Sequence, residues 1–175
     1  MIPRYAPADM AQLFSDEARL STWLEVELLA VEGLEQIGVA PIGVAATVRA
    51  RAPKVDGSLL AAVAEREQAT DHDVAAFVDV VQDRIGQPEA RWIHFGLTSS
   101  DVVDTAQCAI LARAADLLLD ASSELVEALR SRAVELARVP VSGRTHGIVA
   151  EPTTFGAKFA HWALPVSYTH LRAHE

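Results

Sequence analysis

The sequence predicts an all-α protein in which a small helical domain is followed by the start of a long-helix bundle. Aromatic residues make up only 6% of the 175-residue chain. Alternating apolar and polar runs are scarce, whereas apolar residues recur at three-to-four spacing in several segments. With 50% hydrophobic and 22% charged residues, the chain carries enough apolar material for a folded core.

Helix-capping residues and helix breakers place two helices in the first fifty residues. The first begins at Ser15 and Asp16, ends near Gly38, and has one row of apolar residues at helical spacing. That row consists of Leu20, Leu24, Leu28 and Val31. Pro41 suits the first turn of a short helix that runs through Val48.

Two further helices are predicted before the long one. Ser58 begins a helix that ends near Ala69. Thr70 and Asp71 cap the next helix, which ends before Gly86.

The longest predicted helix runs from about Asp101 to Ala137, with Ser99 or Ser100 as its cap. At a rise of 1.5 Å per residue it would extend about 55 Å, which is too long for a compact domain of this size. It carries two adjacent apolar rows, which predict burial against several partner helices or other chains. The rows are Val103, Ile110 and Leu117, and Leu111, Leu118 and Leu125. We therefore place a domain boundary at about Leu97, between a helical domain (1–97) and the start of a bundle (98–164).

The chain after the long helix is predicted to be a polar loop followed by a last helix. Pro140 ends the long helix, the loop covers 142–147, and Pro152 begins a helix through Ala163. Residues 165–175 have no clear apolar face, so we interpret them as a non-native or ragged tail and exclude their histidines from functional interpretation.

Charge and composition argue against several classes of protein: nucleic-acid-binding, membrane-spanning, secreted and disulfide-rich. The formal charge is −9 and there is no run of Lys or Arg, which argues against nucleic acid or an anionic membrane as a partner. No apolar stretch reaches the roughly 18 residues that span a bilayer, and the start lacks a signal-peptide pattern. The single cysteine, Cys108, excludes a disulfide framework. These observations predict a cytoplasmic protein.

Polar residues at predicted helix starts are the first candidates for chemistry. In the first turn of a helix, His72 would be held neutral by the helix dipole and could hydrogen-bond a ligand, or it could simply cap the helix. The run from Thr98 to Asp101 offers amide and hydroxyl groups to an anion, or is an ordinary N-cap. Arg91, Trp92 and His94 precede it and favour the anion site.

The loop Gly143–Gly147 is the most informative segment by composition. Two glycines let the backbone turn tightly and present the three side chains between them together. Arg144 could hold a carboxylate while His146 moves a proton. The alternative is a flexible connection between helices that happens to contain a histidine.

The sequence favours neither a metal site nor a common nucleotide-binding motif. His72, His94 and His146 are far apart, and no His or Glu stands at metal-ligand spacing beside them. A glycine-rich phosphate loop and a dinucleotide fingerprint are both absent from the sequence.

Four sequence blocks together resemble the adenylosuccinate lyase family of the fumarase/aspartase superfamily. They are Arg4-Tyr5, Glu65–Val74, Ile93–Thr105, and Gly143–Gly147 together with Glu151–Gly156. The resemblance covers residues 1–164 in order. The second histidine-containing block, Ile93–Thr105, together with Arg4-Tyr5, favours this family over argininosuccinate lyase and fumarase.

This resemblance implies a fold, an assembly and a reaction. Its members are all-α homotetramers in which three chains build each active site around a central helical bundle. They eliminate fumarate from adenylosuccinate to give AMP, and from the succinylcarboxamide intermediate of purine biosynthesis, without metal or cofactor. The implied partner is therefore a small nucleotide substrate.

The resemblance also implies roles for individual residues. His146 is the expected general acid that protonates the leaving nitrogen. Arg4 and Tyr5 would hold the nucleotide phosphate, and His94 is a supporting histidine. The remaining expected substrate contacts are Asp71, His72, Asp73, Thr98, Ser99, Arg144 and Thr145.

Two departures from the family pattern qualify these expectations. Val149 stands where the family usually has a further histidine, and the Gly-Ser-Ser loop that carries the general base is not among these 175 residues. We therefore expect an amino-terminal fragment that is inactive alone. The alternatives are a non-catalytic helical assembly module and another superfamily lyase, such as one acting on argininosuccinate.

Overall fold

The computed structural model describes residues 2–172, which form two compact units. The first extends to Arg113 and the second comprises the residues from Ala114 onward. The domain boundary predicted at about Leu97 remains a prediction. Within the described residues, helices predominate and confirm the predicted all-α class.

The first unit begins with a short 3-10 turn at Pro3–Tyr5 and contains five helices before the long one. These are α1 (Ala8–Leu13), α2 (Asp16–Gln36), α3 (Val44–Arg51), α4 (Gly57–Thr70) and α5 (Asp73–Ile85). A second 3-10 turn, Glu89–Trp92, leads to α6 (Ser99–Glu135).

Helix α2 begins as its capping signal predicts. The Ser15 hydroxyl accepts a hydrogen bond from the amide of Ala18 at 3.1 Å. The predicted apolar row of this helix is buried, which confirms the spacing argument. Glu27 lies among these apolar residues and is 0% exposed, which the sequence analysis did not anticipate.

Helix α3 begins at Val44, three residues later than predicted from Pro41. Gly43 precedes it in the left-handed region, with φ 89°. The Glu35 carboxylate accepts hydrogen bonds from the amides of Gly43 at 2.9 Å and Ala45 at 2.7 Å. These two bonds lower the pKa of Glu35. A carboxylate from the preceding helix thus satisfies the amides that a local cap would satisfy.

The connection between α4 and α5 corrects one prediction. Thr70 and Asp71 do not cap α5, because Asp71 ends α4 in the left-handed region (φ 48°). His72 is the N-cap of α5, and its ring accepts from the amide of Ala75. Helix α4 begins at Gly57, and Asp56 is its N-cap. The Asp56 carboxylate accepts hydrogen bonds from the amides of Ser58 and Leu59.

The core of the first unit lies between α2, α4 and α5. Trp23 and Phe77 meet edge to face, with ring centroids 5.5 Å apart and planes at 80°. The largest fully buried apolar side chains are Leu59, Phe77, Ile93, Val31, Val48, Val74, Val81 and Val102. The first turns of α6 join this core through Val102 and Ala106.

Helix α6 begins two residues earlier than predicted, so Ser99 and Ser100 lie inside it rather than capping it. The amide of Thr98 donates to the Asp101 carboxylate at 2.8 Å, and the Thr98 carbonyl accepts from the Asp101 amide at 3.0 Å. This reciprocal pair closes the start of the helix.

The second unit contains a β-hairpin where a loop and a helix start were predicted. Strands β1 (Pro140–Thr145) and β2 (Ile148–Thr154) pair antiparallel, with Thr145 opposite Ile148. The two residues between them, His146 and Gly147, have φ of 51° and 76°, as a two-residue hairpin turn requires. Pro152 therefore lies in a strand instead of beginning a helix.

The last helix, α7 (Phe155–Arg172), also differs from its predicted bounds. It begins three residues after Pro152 and continues past Ala163 through Pro165. The final three residues of the predicted tail lie outside the described residues. Gly156 allows the start of α7 to approach the end of α6, since a Cβ there would lie 2.6 Å from the Cα of Ala137. Between residues 2 and 172, no helix is long and apolar enough to cross a bilayer.

Candidate functional site

The first unit brings His72 and Ser99 together at the starts of α5 and α6. His72 Nε2 and Ser99 Oγ are 3.2 Å apart, although 27 residues separate them in sequence. The His72 side chain is 48% exposed, so the pair is open to solvent. Two residues that were predicted separately, each at a helix start, thus lie beside each other.

The capping bond of His72 determines what its ring offers to a ligand. Nδ1 accepts the Ala75 amide at 3.4 Å, so the proton of the neutral ring resides on Nε2. Nε2 then donates to Ser99, which leaves the hydroxyl hydrogen of Ser99 available for an acceptor. The Asp73 carboxylate lies 3.4 Å from Nδ1 and would pair with a protonated ring. His72 is thus both a helix cap and a hydrogen-bonding group.

The start of α6 has the amides that an anion site needs. The first amides of an α-helix have no intrahelical acceptor and carry the positive end of the dipole. Ser99 and Ser100 occupy these positions. The Asp101 carboxylate accepts the hydrogen bond of the Thr98 amide, so Thr98 can offer a ligand its hydroxyl group but not its amide.

His94 is held by a residue that sequence analysis missed. Glu27 accepts from the His94 backbone amide at 2.7 Å, and its other oxygen lies 2.6 Å from His94 Nδ1. The carboxylate is fully buried, whereas the His94 side chain is 23% exposed. A charged residue within the apolar row of α2 was the signal that could have identified it, because a buried carboxylate requires a partner.

Arg91 and Trp92 form a separate feature on the first unit. The Arg91 guanidinium lies over the Trp92 ring, 5.3 Å from its centroid. Both side chains line a groove of about 360 Å³ together with the segment before α3, which includes Gly43. Arg91 is therefore engaged with an aromatic ring in this groove.

Arg4 and Tyr5 lie in the first 3-10 turn and contact each other. Arg4 Nη2 donates to the Tyr5 hydroxyl at 2.8 Å, and the guanidinium lies 4.7 Å from the ring centroid. Tyr5 is 67% exposed. The pair presents a cation and a phenol to solvent side by side.

The hairpin of the second unit carries Arg144, Thr145 and His146. His146 occupies the turn, with its backbone in the left-handed region, and is exposed. Arg144 lines a cavity of about 510 Å³ with two other basic residues, Lys158 and His161 of α7. These two were not predicted as site residues, and no acidic side chain lines this cavity. The cavity is therefore suited to an anionic group.

Metal ligation has no support from the described part of the chain. Among residues 2–172, no group of three His, Cys, Asp or Glu side chains is placed to hold a metal ion.

Comparison with known proteins identifies the family. A family model described as a lyase matches residues 4–175. This chain belongs to the lyase family. The adenylosuccinate lyase of Bacillus subtilis (strain 168) is 42% identical over 162 residues, and that of Thermotoga maritima is 41% identical over 162 residues. Each alignment covers 93% of this chain and 36% of the relative, and confirms the resemblance drawn from the motifs.

A solved structure confirms the fold. The crystal structure of a fumarate lyase from Mesorhizobium sp. BNC1 superimposes with a TM-score of 0.88 at 24% identity. The match covers 97% of this chain and 40% of that one. The chain thus spans between a third and two fifths of the proteins it matches.

Proposed function

We propose that this chain is the amino-terminal part of an adenylosuccinate lyase. The reaction removes fumarate from adenylosuccinate to leave AMP, and from the succinylcarboxamide intermediate of purine biosynthesis. The identity of 42% to the Bacillus subtilis adenylosuccinate lyase over 93% of the chain carries this proposal. The site residues described above supply groups that suit the chemistry.

The elimination needs an acid at the leaving nitrogen. A proton leaves the carbon next to the one bearing nitrogen, a carbon–carbon double bond forms, and the C–N electron pair moves to nitrogen. The family resemblance assigns the proton that nitrogen takes up to His146, whose ring is exposed at the hairpin turn and so open to a substrate. The family resemblance assigns the base to a serine outside these 175 residues.

The departing fumarate is a dianion and needs cations and hydrogen-bond donors. Ser99 offers its hydroxyl hydrogen, and Thr98 and the first amides of α6 add further donors. Arg144 supplies a guanidinium for a carboxylate, with Thr145 beside it. Asp71 ends α4 and Asp73 lies in the first turn of α5, so both flank the His72 cap and are assigned with it as further substrate contacts.

The nucleotide phosphate is assigned to Arg4 and Tyr5, with His94 supporting the site. The exposed Arg4 guanidinium and the Tyr5 hydroxyl can both donate to phosphate oxygens. The chain carries a net charge of −9, so attraction of an anionic substrate must come from these local groups.

Assembly as a cytoplasmic homotetramer with shared active sites completes the proposal. Leu111, Leu118 and Leu125 of α6 are between 48% and 59% exposed, as residues that pack against a further helix would be in one chain. Partners are the nucleotide substrate and identical chains, with neither nucleic acid nor membrane among them. The same apolar row favours a non-catalytic assembly module as the second candidate.

A chimera tests the proposal. Residues 1–164 are joined to the carboxyl-terminal part of the Bacillus subtilis relative, and fumarate release from adenylosuccinate and from argininosuccinate is measured. We expect turnover of adenylosuccinate only, and a loss of about 10²–10⁴-fold in His146→Asn, which tolerates the left-handed turn. Ile148→Val, an exposed and conservative change in the same hairpin, is the matched control and should keep full activity.

The outcomes separate the candidates. A folded chimera that releases no fumarate from either substrate would favour the assembly module. Cleavage of argininosuccinate would instead identify another lyase of the superfamily, and Arg4→Ala would then have no effect on KM.

A further inference from the structure

Glu27 is an acidic side chain with no exposed surface, placed in the apolar row of α2. An ionised carboxylate in such a place is unfavourable unless both of its oxygens accept hydrogen bonds. Both bonds come from one residue, since His94 supplies its backbone amide at 2.7 Å and its ring Nδ1 at 2.6 Å. Glu27 therefore holds the backbone and the ring of His94 together.

The His94 backbone itself is unusual and is held from a second side. Its φ of 65° lies in the left-handed region, which non-glycine residues adopt only when their surroundings require it. The preceding carbonyl, that of Ile93, accepts from the Gln82 side chain at 3.0 Å. The loop is thus positioned by α2 and α5 just before the start of α6.

We propose that Glu27 is a positioning residue for His94, which fixes the tautomer and the orientation of the ring so that Nε2 faces the ligand. An ionised carboxylate only accepts, so the proton of the neutral ring must reside on Nδ1. Nδ1 is engaged by a carboxylate without exposed surface, while the His94 side chain as a whole is 23% exposed, so Nε2 is the ring nitrogen left for a ligand. The ligand contact of Nε2 rests on the proposed function, whereas the tautomer does not.

The two histidines of the first unit consequently have opposite hydrogen-bonding characters when neutral. His72 accepts at Nδ1 and donates at Nε2, as shown by its contacts to Ala75 and Ser99. His94 donates at Nδ1 and accepts at Nε2. The neutral His94 ring thus receives a hydrogen bond from an N–H or O–H group of the ligand, and it becomes a donor only when protonated.

Replacement of Glu27 by glutamine is expected to change the tautomer of the His94 ring. The two His94 groups are bound by different oxygens of Glu27, and glutamine has an acceptor oxygen at only one of these two places and a donor NH₂ at the other. If its oxygen keeps the backbone amide, its NH₂ group faces Nδ1, and Nδ1 must become the acceptor. Glu27→Gln is therefore expected to move the ring proton from Nδ1 to Nε2.

Ring ¹⁵N and ¹H chemical shifts of the 175-residue chain test this at about pH 8.5, where an ordinary imidazole is neutral. His94→Gln assigns the signal by its loss. We expect His94 to be protonated at Nδ1 in the unsubstituted chain and at Nε2 in Glu27→Gln. The matched control is Glu25→Gln, an exposed acid on the same helix that pairs with Arg49, which should leave the tautomer unchanged.

Two results would overturn the proposal. One is an unsubstituted chain in which neutral His94 carries its proton on Nε2, and the other is a folded Glu27→Gln variant with an unaltered tautomer. If Glu27→Gln does not fold, the rate of solvent exchange of the His94 ring proton in the unsubstituted chain tests the proposal instead. Slow exchange of Nδ1–H supports the buried hydrogen bond, and rapid exchange refutes it. Because no ligand is present, failure of the lyase assignment would not change either result.

Discussion

Phe77→Ala is the substitution by which the core of the first unit can be tested most directly. Phe77 is fully buried and meets Trp23 edge to face. Truncation of a buried phenylalanine costs about 3–5 kcal/mol, because apolar contacts are lost and a cavity remains. The aromatic pair accounts for roughly 0.5–1.5 kcal/mol of this. We therefore expect the free energy of unfolding to fall by about 4 kcal/mol, and Tm to fall by roughly 15 °C.

Urea unfolding followed by circular dichroism and tryptophan fluorescence measures this change. Phe14→Ala is the matched control, since Phe14 is 49% exposed and its truncation should cost less than about 0.5 kcal/mol. A double-mutant cycle with Trp23→Leu and Phe77→Leu should return the pair energy. A loss below about 1 kcal/mol in Phe77→Ala would refute the placement of this ring in the core.

Three further predictions concern other parts of the chain. Gly156→Ala should destabilise the second unit by about 1–3 kcal/mol, because its Cβ would lie 2.6 Å from the Cα of Ala137. Gly33→Ala is the control, since no atom lies near the added Cβ at this helical position, and it should be neutral or stabilising. Equal changes in Tm for the two variants would contradict the close approach at Gly156. Glu35 has a lowered pKa, so its contribution exists above the usual glutamate pKa and disappears as pH falls through the lowered value. The difference in Tm between the unsubstituted chain and Glu35→Gln should accordingly shrink on acidification, and a constant difference would refute the capping role. In the chimera, Ser99→Ala should reduce kcat/KM by roughly tenfold, the value of one hydrogen bond, and unchanged kinetics would remove Ser99 from the site.

The helices could be predicted because their signals are local. The Ser15 cap and the apolar row of α2 lie within one helix, and the structure confirms both. The start of α3 could not be placed, because its amides are satisfied by Glu35 from the previous helix. A cap supplied from outside the element leaves no signature at the helix start.

The hairpin was missed although part of its signal was present. His146 and Gly147 form a two-residue turn between paired strands, a position that favours residues able to adopt positive φ. Proline is common at the first position of a helix, but Pro152 is equally compatible with a strand in a two-stranded sheet. The helical composition of the surrounding sequence outweighed these local cues.

The candidate site was predicted residue by residue but not as contacts. His72 and Ser99 were each singled out at a helix start, and their contact at 3.2 Å follows only from the packing of α5 and α6. Glu27 was not predicted because its partner lies 67 residues away in the sequence. Sequence patterns identify chemical groups, whereas pairing across a fold depends on tertiary structure.

The Glu27–His94 bond has a consequence for folding. Closing a loop of this length costs about (3/2)RT ln 67, or roughly 3.7 kcal/mol, before any contact repays it. The bond therefore forms only when α2 has been brought against the rest of the first unit. The cap of His72, by contrast, closes over three residues and can form in an isolated helix. During unfolding, the ring of His94 should follow the loss of the whole unit, while the ring of His72 follows the fraying of one helix end.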